Sequence, residues 1–288
     1  MRVAIPLNAL FHAFRRKAVT RSATTSPGGA AATMKVHQFP ALSDNFGYLL
    51  HDERTGATAA VDTPDEGAIE AALRETGWTL SHVLNTHHHA DHTGGNLGLK
   101  KRYPECTIIG PAADAERIPG IDVGAEDGST HQLGSVSFIV MHVPGHTRGH
   151  CAFYFPTENA AFVGDTLFSL GCGRLFEGTP EQMHHSLQQL CALPDDTLLY
   201  CAHEYTESNA RFAITLEPGN PELQHRVAEV KRLRAENKAT VPTTLSMEKA
   251  TNPFLRAHSA ELRQSLGMGP EARDVDVFAA ARKRKDNF

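Results

Sequence analysis

Residues 82–96 read HVLNTHHHADHTGGN. His82–Asn85 is a short run of the kind a buried strand uses, and Gly94-Gly95-Asn96 opens a helix on the far side. Between them lies an HxHxDH string, His87, His89, Asp91 and His92, directly after the strand. Imidazole nitrogen and carboxylate oxygen are good ligands for zinc and similar transition metals, with bonds of ~2.0–2.2 Å. A solvated histidine-rich loop would share this composition, but not the strand before it and the helix after it.

One loop cannot surround two metal ions, so further ligands are expected at other strand ends. Pro144-Gly145-His146-Thr147 follows the apolar run Val136–Val143, Gly164-Asp165-Thr166 follows Ala161-Phe162-Val163, and Ala202-His203-Glu204 follows Leu198–Cys201. A single His or Asp at a strand end is more often structural; the recurrence of the pattern is what points to a metal centre. Gly47–His51, Ala57–Asp62, His82–Asn85, Thr107–Ile109 and Ala152–Phe155 also read as strands. Asp65–Thr76, with Ile69, Ala72 and Leu73 on one face, and Pro180–Leu193 read as helices, each entered at or just after a Thr-Pro pair. Beyond Tyr205 the pattern turns helical over Thr206–Leu216, Pro221–Asn237 (seam Leu223, Val227, Val230, Leu233) and Asp274–Lys285. Pro218-Gly219-Asn220 separates the first two. The organisation expected is an α/β domain over 34–206 and a smaller helical domain over 207–288.

Composition bounds the function classes. The chain has 288 residues, a formal net charge of −5, 41% hydrophobic and 21% charged residues, which is ordinary for a globular protein. No apolar run approaches a membrane span, and the mild acidity argues against a nucleic-acid binder. Histidine is the unusual residue, with 17 copies, clustered. Five cysteines, odd in number and without a CxxC, predict no disulfide framework and a reducing compartment. Residues 1–33 carry five basic side chains and no acid, with Leu7, Leu10, Phe11, Phe14 and Ala18 at helical spacing. This resembles an organellar transit peptide, giving a mitochondrial or, without it, a cytoplasmic location; the other reading is a start codon placed too early, with Met34 as the true beginning.

From Met34 to Phe288 the sequence resembles the metallo-β-lactamase fold superfamily and, within it, glyoxalase II, the hydroxyacylglutathione hydrolases. HxHxDH (His87–His92) identifies only the superfamily. GHTxGH (Gly145–His150), GDTLF (Gly164–Phe168), GCGRLFEGT (Gly171–Thr179), HEYT (His203–Thr206), EPGN (Glu217–Asn220), NPF (Asn252–Phe254) and RKRKD (Arg282–Asp286) together are far more specific. The resemblance implies a four-layer αββα sandwich followed by a helical substrate-binding domain. It implies two divalent metal ions, zinc first and iron or manganese as alternatives. His87, His89 and His146 would hold one ion, Asp91, His92 and His203 the other, and Asp165 would bridge them. His88 reads as a surface histidine, and His142 and His150 as candidate neighbours of the ligands.

The implied reaction is hydrolysis of S-(2-hydroxyacyl)glutathione, S-D-lactoylglutathione above all, to D-lactate and glutathione, the second step of methylglyoxal detoxification. Two ions ~3.5–4 Å apart can lower the pKa of a shared water toward neutrality, and a thiolate leaving group, with a parent thiol pKa near ~8.5, needs little acid assistance. Asp91 and Asp165 are the candidate catalytic carboxylates, Asp91 also as an orienter of the attacking water. Glutathione would be held by Arg174, Tyr205, Arg282 and Lys285. Phe176 stands where the family commonly has Tyr, which removes one hydroxyl and predicts somewhat weaker binding. The implied partner is a small-molecule glutathione thioester, with no nucleic acid and no membrane, on a monomer. A persulfide dioxygenase, with one iron, would not need the full second set Asp91, His92 and His203; a β-lactamase of this fold often has Cys at Asp165; a nuclease should be more basic.

Overall fold

The computed structural model describes residues 34–288; the basic amphipathic start, under either of its readings, lies outside the described residues. One six-stranded sheet has the order β1 (Met34–Ala41), β2 (Asn45–Asp52), β3 (Thr58–Val61), β4 (His82–Leu84), β5 (Thr107–Pro111), β6 (Val123–Ala125). It is antiparallel up to β3 and parallel from β3 to β6. A second has β7 (Thr130–Leu133), β8 (Val136–His142), β9 (Cys151–Phe155), β10 (Ala160–Gly164), then β13 (Leu198–Cys201) and β14 (Thr243–Thr244). Only β10 and β13 pair parallel in it. A two-stranded ribbon, β11 (Leu167–Phe168) and β12 (Gly171–Cys172), follows β10.

The inner strands β3, β4 and β5 of the first sheet are largely apolar because both faces are covered. Tyr48, Leu50, Ala59, Val61, Leu84 and Ile109 join Phe138, Val140, Phe153, Phe155 and Phe162 of the second sheet in one core. Their neighbours Leu49, Ala60, Val83 and Ile108 point the other way, onto Ile69, Ala72 and Leu73 of helix Glu66–Thr76 and Leu99 of helix Asn96–Arg102. Helix Pro180–Cys191 contributes Met183, Leu187 and Leu190, and the C-terminal region contributes Phe254, Val277, Phe278 and Ala281 to the same core. This is the expected αββα sandwich followed by helices. The entry residues explain the helix starts: Asp65 caps through Ala68 N–H, Thr179 forms a capping box with Gln182 behind Pro180, and Asn220 caps through Glu222 and Leu223.

The differences from the sequence reading are local. Strand β1 was not expected because Pro40 interrupts its pattern; an edge position tolerates a missing N–H donor. Helix Pro221–Ala235 stops short of Asn237, whose φ of +54° ends it, and Arg226 joins Leu223 and Val230 on the buried seam by donating to the Thr240 carbonyl. The short helices Leu245–Thr251 and Ala260–Ser265 are too brief to show periodicity. All five cysteines are free, four of them buried. Among the described residues no helix is long and apolar enough to cross a membrane.

Candidate active site

Four strands of the sandwich deliver the expected ligand residues to one place. His87, His89, Asp91 and His92 follow β4, His146 follows β8, Asp165 follows β10 and His203 follows β13. His87 Nε2 lies 3.0 Å and His146 Nε2 3.1 Å from His89 Nδ1, so three imidazole nitrogens converge. Beside them, Asp91 Oδ2 is 3.4 Å from both His92 Nε2 and His203 Nε2. Asp165 stands between: Oδ2 is 3.4 Å from His146 Nε2, while Oδ1 is 3.4 Å from His203 Nε2 and 3.6 Å from His92 Nε2. Gly164, at φ +48°, makes the turn that aims Asp165, and a Cβ there would come within 2.6 Å of Thr86 Oγ1.

The outer ring nitrogen of four of the five ligand histidines is already engaged. His87 Nδ1 meets Thr86 Oγ1 at 3.0 Å, His92 Nδ1 meets Asp62 Oδ2 at 2.8 Å, His146 Nδ1 meets the Arg174 carbonyl at 2.9 Å and His203 Nδ1 meets Asp44 Oδ1 at 2.8 Å. Such contacts fix ring orientation and tautomer. Burial pushes the His87 imidazole well below its ordinary range, with the neighbouring histidines adding to it, and holds His89 at about 4. Around the carboxylates the balance reverses. Burial opposes charge on His203, but Asp165 and Asp91 raise it to about 10. The neighbouring His203 and His92 imidazoles keep the Asp91 carboxyl far below the usual range.

Sequence reasoning missed the outer supports. Asp62 sits at the end of β3 at φ +56° and accepts from Thr86 N (2.8 Å) and Oγ1 (2.9 Å) as well as facing His92. Asn45 Nδ2 donates to the Asp91 carbonyl (3.2 Å) and carboxylate (3.3 Å). Their one legible signal is a polar residue at a strand boundary, which is too common to single out. His150 does touch the site: its Nε2 accepts the Asp165 N–H at 3.0 Å. His142 does not; it meets the Arg148 carbonyl at 3.0 Å. His88 is not a surface histidine but half-buried against Asp114 and Arg117, because the helical turn after it points its ring away from the centre.

The expected substrate residues are less uniform. Phe176 is exposed, with its ring edge-on to His146 (5.1 Å) and His89 (5.8 Å). Tyr205 stacks flat on His203 at 4.7 Å. Arg174 is exposed. Lys285 is half-buried, 3.5 Å from Ser208 Oγ and 5.3 Å from the Phe212 ring; burial, then Arg282, Arg211 and Arg174, lower its ammonium to about 8. Arg211, one helical turn beyond Ser208, is thus a further cation of this face that the sequence reading left out. Arg282 is not a free cation: it is buried, donating to the Cys172 carbonyl at 2.7 Å and to Asp286 at 3.1 Å.

The metallo-beta-lactamase superfamily model matches residues 53–203 and the hydroxyacylglutathione hydrolase C-terminus model residues 204–288. The hydroxyacylglutathione hydrolase of Methylococcus capsulatus is 56% identical over 255 residues, covering 88% of this chain and 99% of that protein. The chain belongs to the hydroxyacylglutathione hydrolase family. A second member, from Brucella anthropi, is 52% identical across 90% of this chain and 98% of its own. Among solved structures, ETHE1 from Myxococcus xanthus superimposes with a TM-score of 0.61 at 26% identity, covering 87% of this chain and 97% of that one. TTHA1623 in a di-iron-bound form gives 0.55 at 26%, covering 77% and 100%.

A divalent metal fits this member of the family on its own geometry. His87, His89 and His146, then His87, His92 and Asp165, then Asp91, His92 and His203 form groups whose donor atoms lie within 4.8 Å of one another. His92 Nε2 and Asp165 Oδ1, both buried, have no hydrogen-bond partner although they face the shared centre. Orphaned buried polar atoms cost ~1–3 kcal/mol each, and a cation would satisfy both.

Proposed function

We propose that this chain hydrolyses S-(2-hydroxyacyl)glutathione thioesters, S-D-lactoylglutathione first, to the 2-hydroxy acid and glutathione. The observation that carries the reading is Asp165 presenting one oxygen to His146 and the other to His92 and His203, each within 3.6 Å. Two ions would be held there, one by His87, His89 and His146 and one by Asp91, His92 and His203, with Asp165 facing both groups. Zinc is the first choice for this His/Asp set, with iron and manganese as alternatives. Divalent ions there supply Lewis acidity and acidify water at neutral pH.

The chain's own residues do the rest. Thr86, Asp62, Asp44 and the Arg174 carbonyl lock the imidazoles, so the donors need no reorganisation during the reaction. Asp91, steered by Asn45 and half-exposed, orients the attacking water. Phe176 covers His89 and His146 with an apolar edge and shields the reacting carbonyl from bulk solvent. Tyr205, Arg174 and Lys285, with Arg282 behind them, receive the glutathione moiety from the 207–288 domain and from the loops of the 34–206 domain. The thiolate leaves without a proton donor. The protein acts as a monomer, in the cytoplasm or, if residues 1–33 are a targeting segment, in the mitochondrion.

The test is hydrolysis of S-D-lactoylglutathione by purified protein, with metal analysis of the same sample. Turnover with two ions per chain is expected. No turnover at full loading defeats the reading, and one iron per chain with oxygen uptake would replace it with an oxidoreductase.

A further inference from the structure

Four loops of the site meet at a cluster of charge that neither the metal groups nor the substrate reading uses. Glu177 is its hub: Oε1 accepts from Arg117 Nη1 at 2.5 Å, and Oε2 accepts from Arg117 Nη2 at 3.0 Å and from the Arg148 backbone N–H at 2.9 Å. Arg117 Nη2 also donates to Asp114 Oδ1 at 2.5 Å, and Nη1 lies 3.2 Å from His88 Nε2. With Nε2 accepting, the His88 ring carries its proton on Nδ1 and donates to Asp114 Oδ2 at 3.0 Å. Asp114 is buried against Gly149, where an added Cβ would lie 2.2 Å from its carboxylate.

The members come from four separate segments around the centre. His88 lies between His87 and His89. Arg148 and Gly149 lie between His146 and His150. Arg117 and Asp114 come from the 3-10 turn Ala112–Arg117 after β5. Glu177 follows Phe176, and its loop also provides the Arg174 carbonyl that holds His146 Nδ1 at 2.9 Å. A two-pronged guanidinium–carboxylate pair is directional as well as strong, and removing Arg117 from this half-buried pair leaves the fully buried Asp114 carboxylate without its cation. Without Arg117, Asp114 and Glu177 would repel across His88, and the strain would fall on the two loops at once.

We propose that the Arg117–Glu177 pair is a positioning clamp that couples metal retention at His87, His89 and His146 to the seating of the 173–178 loop on the substrate. Neither residue touches substrate or metal; both act through His88, Arg148 and the Arg174–Phe176 segment. The inference depends on the reading that those three histidines hold an ion.

The experiment uses the metal-loaded full chain, with Arg117→Ala, Arg117→Lys and Glu177→Gln. Three quantities are measured: the rate of metal loss to a chelator, KM and kcat for S-D-lactoylglutathione, and the melting temperature. Arg117→Ala and the isosteric Glu177→Gln should each speed metal loss about tenfold and raise KM, with kcat changing less. Arg117→Lys keeps the charge but not the fork, and should fall between. The double variant should be no worse than Arg117→Ala alone, because both remove one interaction. Should Arg117→Ala fail to fold, Glu177→Gln and Arg117→Lys decide. Wild-type protein that takes up no divalent cation overturns both this inference and the reading beneath it. Wild-type protein that holds metal, beside variants that lose only melting temperature while releasing metal and binding substrate as the parent does, overturns this inference alone.

Discussion

The metal centre and the substrate face differ in how their residues are held. At the centre, every expected ligand points a donor atom inward, and His87, His92, His146 and His203 each have the opposite ring nitrogen fixed by a neighbour. On the substrate face, Arg174 and Phe176 stand exposed, Lys285 rests on Ser208 and the Phe212 ring, and Arg282 is committed to the Cys172 carbonyl and Asp286. A metal demands short, directional contacts from several side chains, so the protein must build the cradle beforehand. A flexible peptide-like ligand can be met by mobile cations whose charge acts at longer range.

Substitutions should therefore hit the two regions unequally. The largest effect is expected from Asp165→Ala, which removes the oxygen pair shared by both groups: turnover should fall about a thousandfold, with less than full metal content on analysis. If metal content and rate survive, the centre is not bridged by Asp165. Next comes Asp62→Ala, which frees the His92 ring and Thr86 without touching a donor; metal affinity should drop about ten- to a hundredfold, measured by competition with a chelator. An affinity unchanged by this variant would mean that the strained Asp62, at φ +56°, serves folding alone.

On the substrate face, Lys285→Ala should raise KM about tenfold at nearly constant kcat, the cost of one charge-assisted contact. The same residue makes a pH test. Only the charged ammonium attracts a carboxylate, and in the free protein it loses its proton near pH 8. Wild-type kcat/KM should therefore fall as pH rises through that value, and Lys285→Ala should lack this limb. Arg282→Ala should lower melting temperature as well as affinity, because it leaves the buried Cys172 carbonyl without its donor. The smallest effect is Phe176→Tyr, which restores a hydroxyl; KM should improve by about two- to threefold, on the scale of one neutral hydrogen bond. A larger change would place Phe176 closer to the reacting group than its edge-on contacts with His89 and His146 suggest.

The legibility of the two regions follows the same division. The HxHxDH string and the three later strand ends were readable because metal-ligand residue types are few and their spacing is rigid. Asp62, Asp44 and Asn45 were not, since hydrogen-bond partners of a ligand can come from any polar residue that the fold happens to bring near. Arg282 was expected from the family resemblance to hold glutathione, and only the packed C-terminal helix revealed that its guanidinium faces β12. His88 read as solvent-facing, and only the turn Ala112–Arg117 and the Glu177 loop supplied its partners.

By itself, the order of residues determined an α/β region followed by a helical one, through strand-length apolar runs and capped helices; the layered sandwich was implied by the family resemblance. The order of residues also determined which imidazoles and carboxylates were available. Tertiary structure alone decided their distances, which oxygen of Asp165 faces which group, and which cations remain available to a ligand. The physical reason is range: periodicity and capping are set by neighbours a few residues apart, whereas coordination and charge compensation depend on side chains brought together from distant parts of the chain.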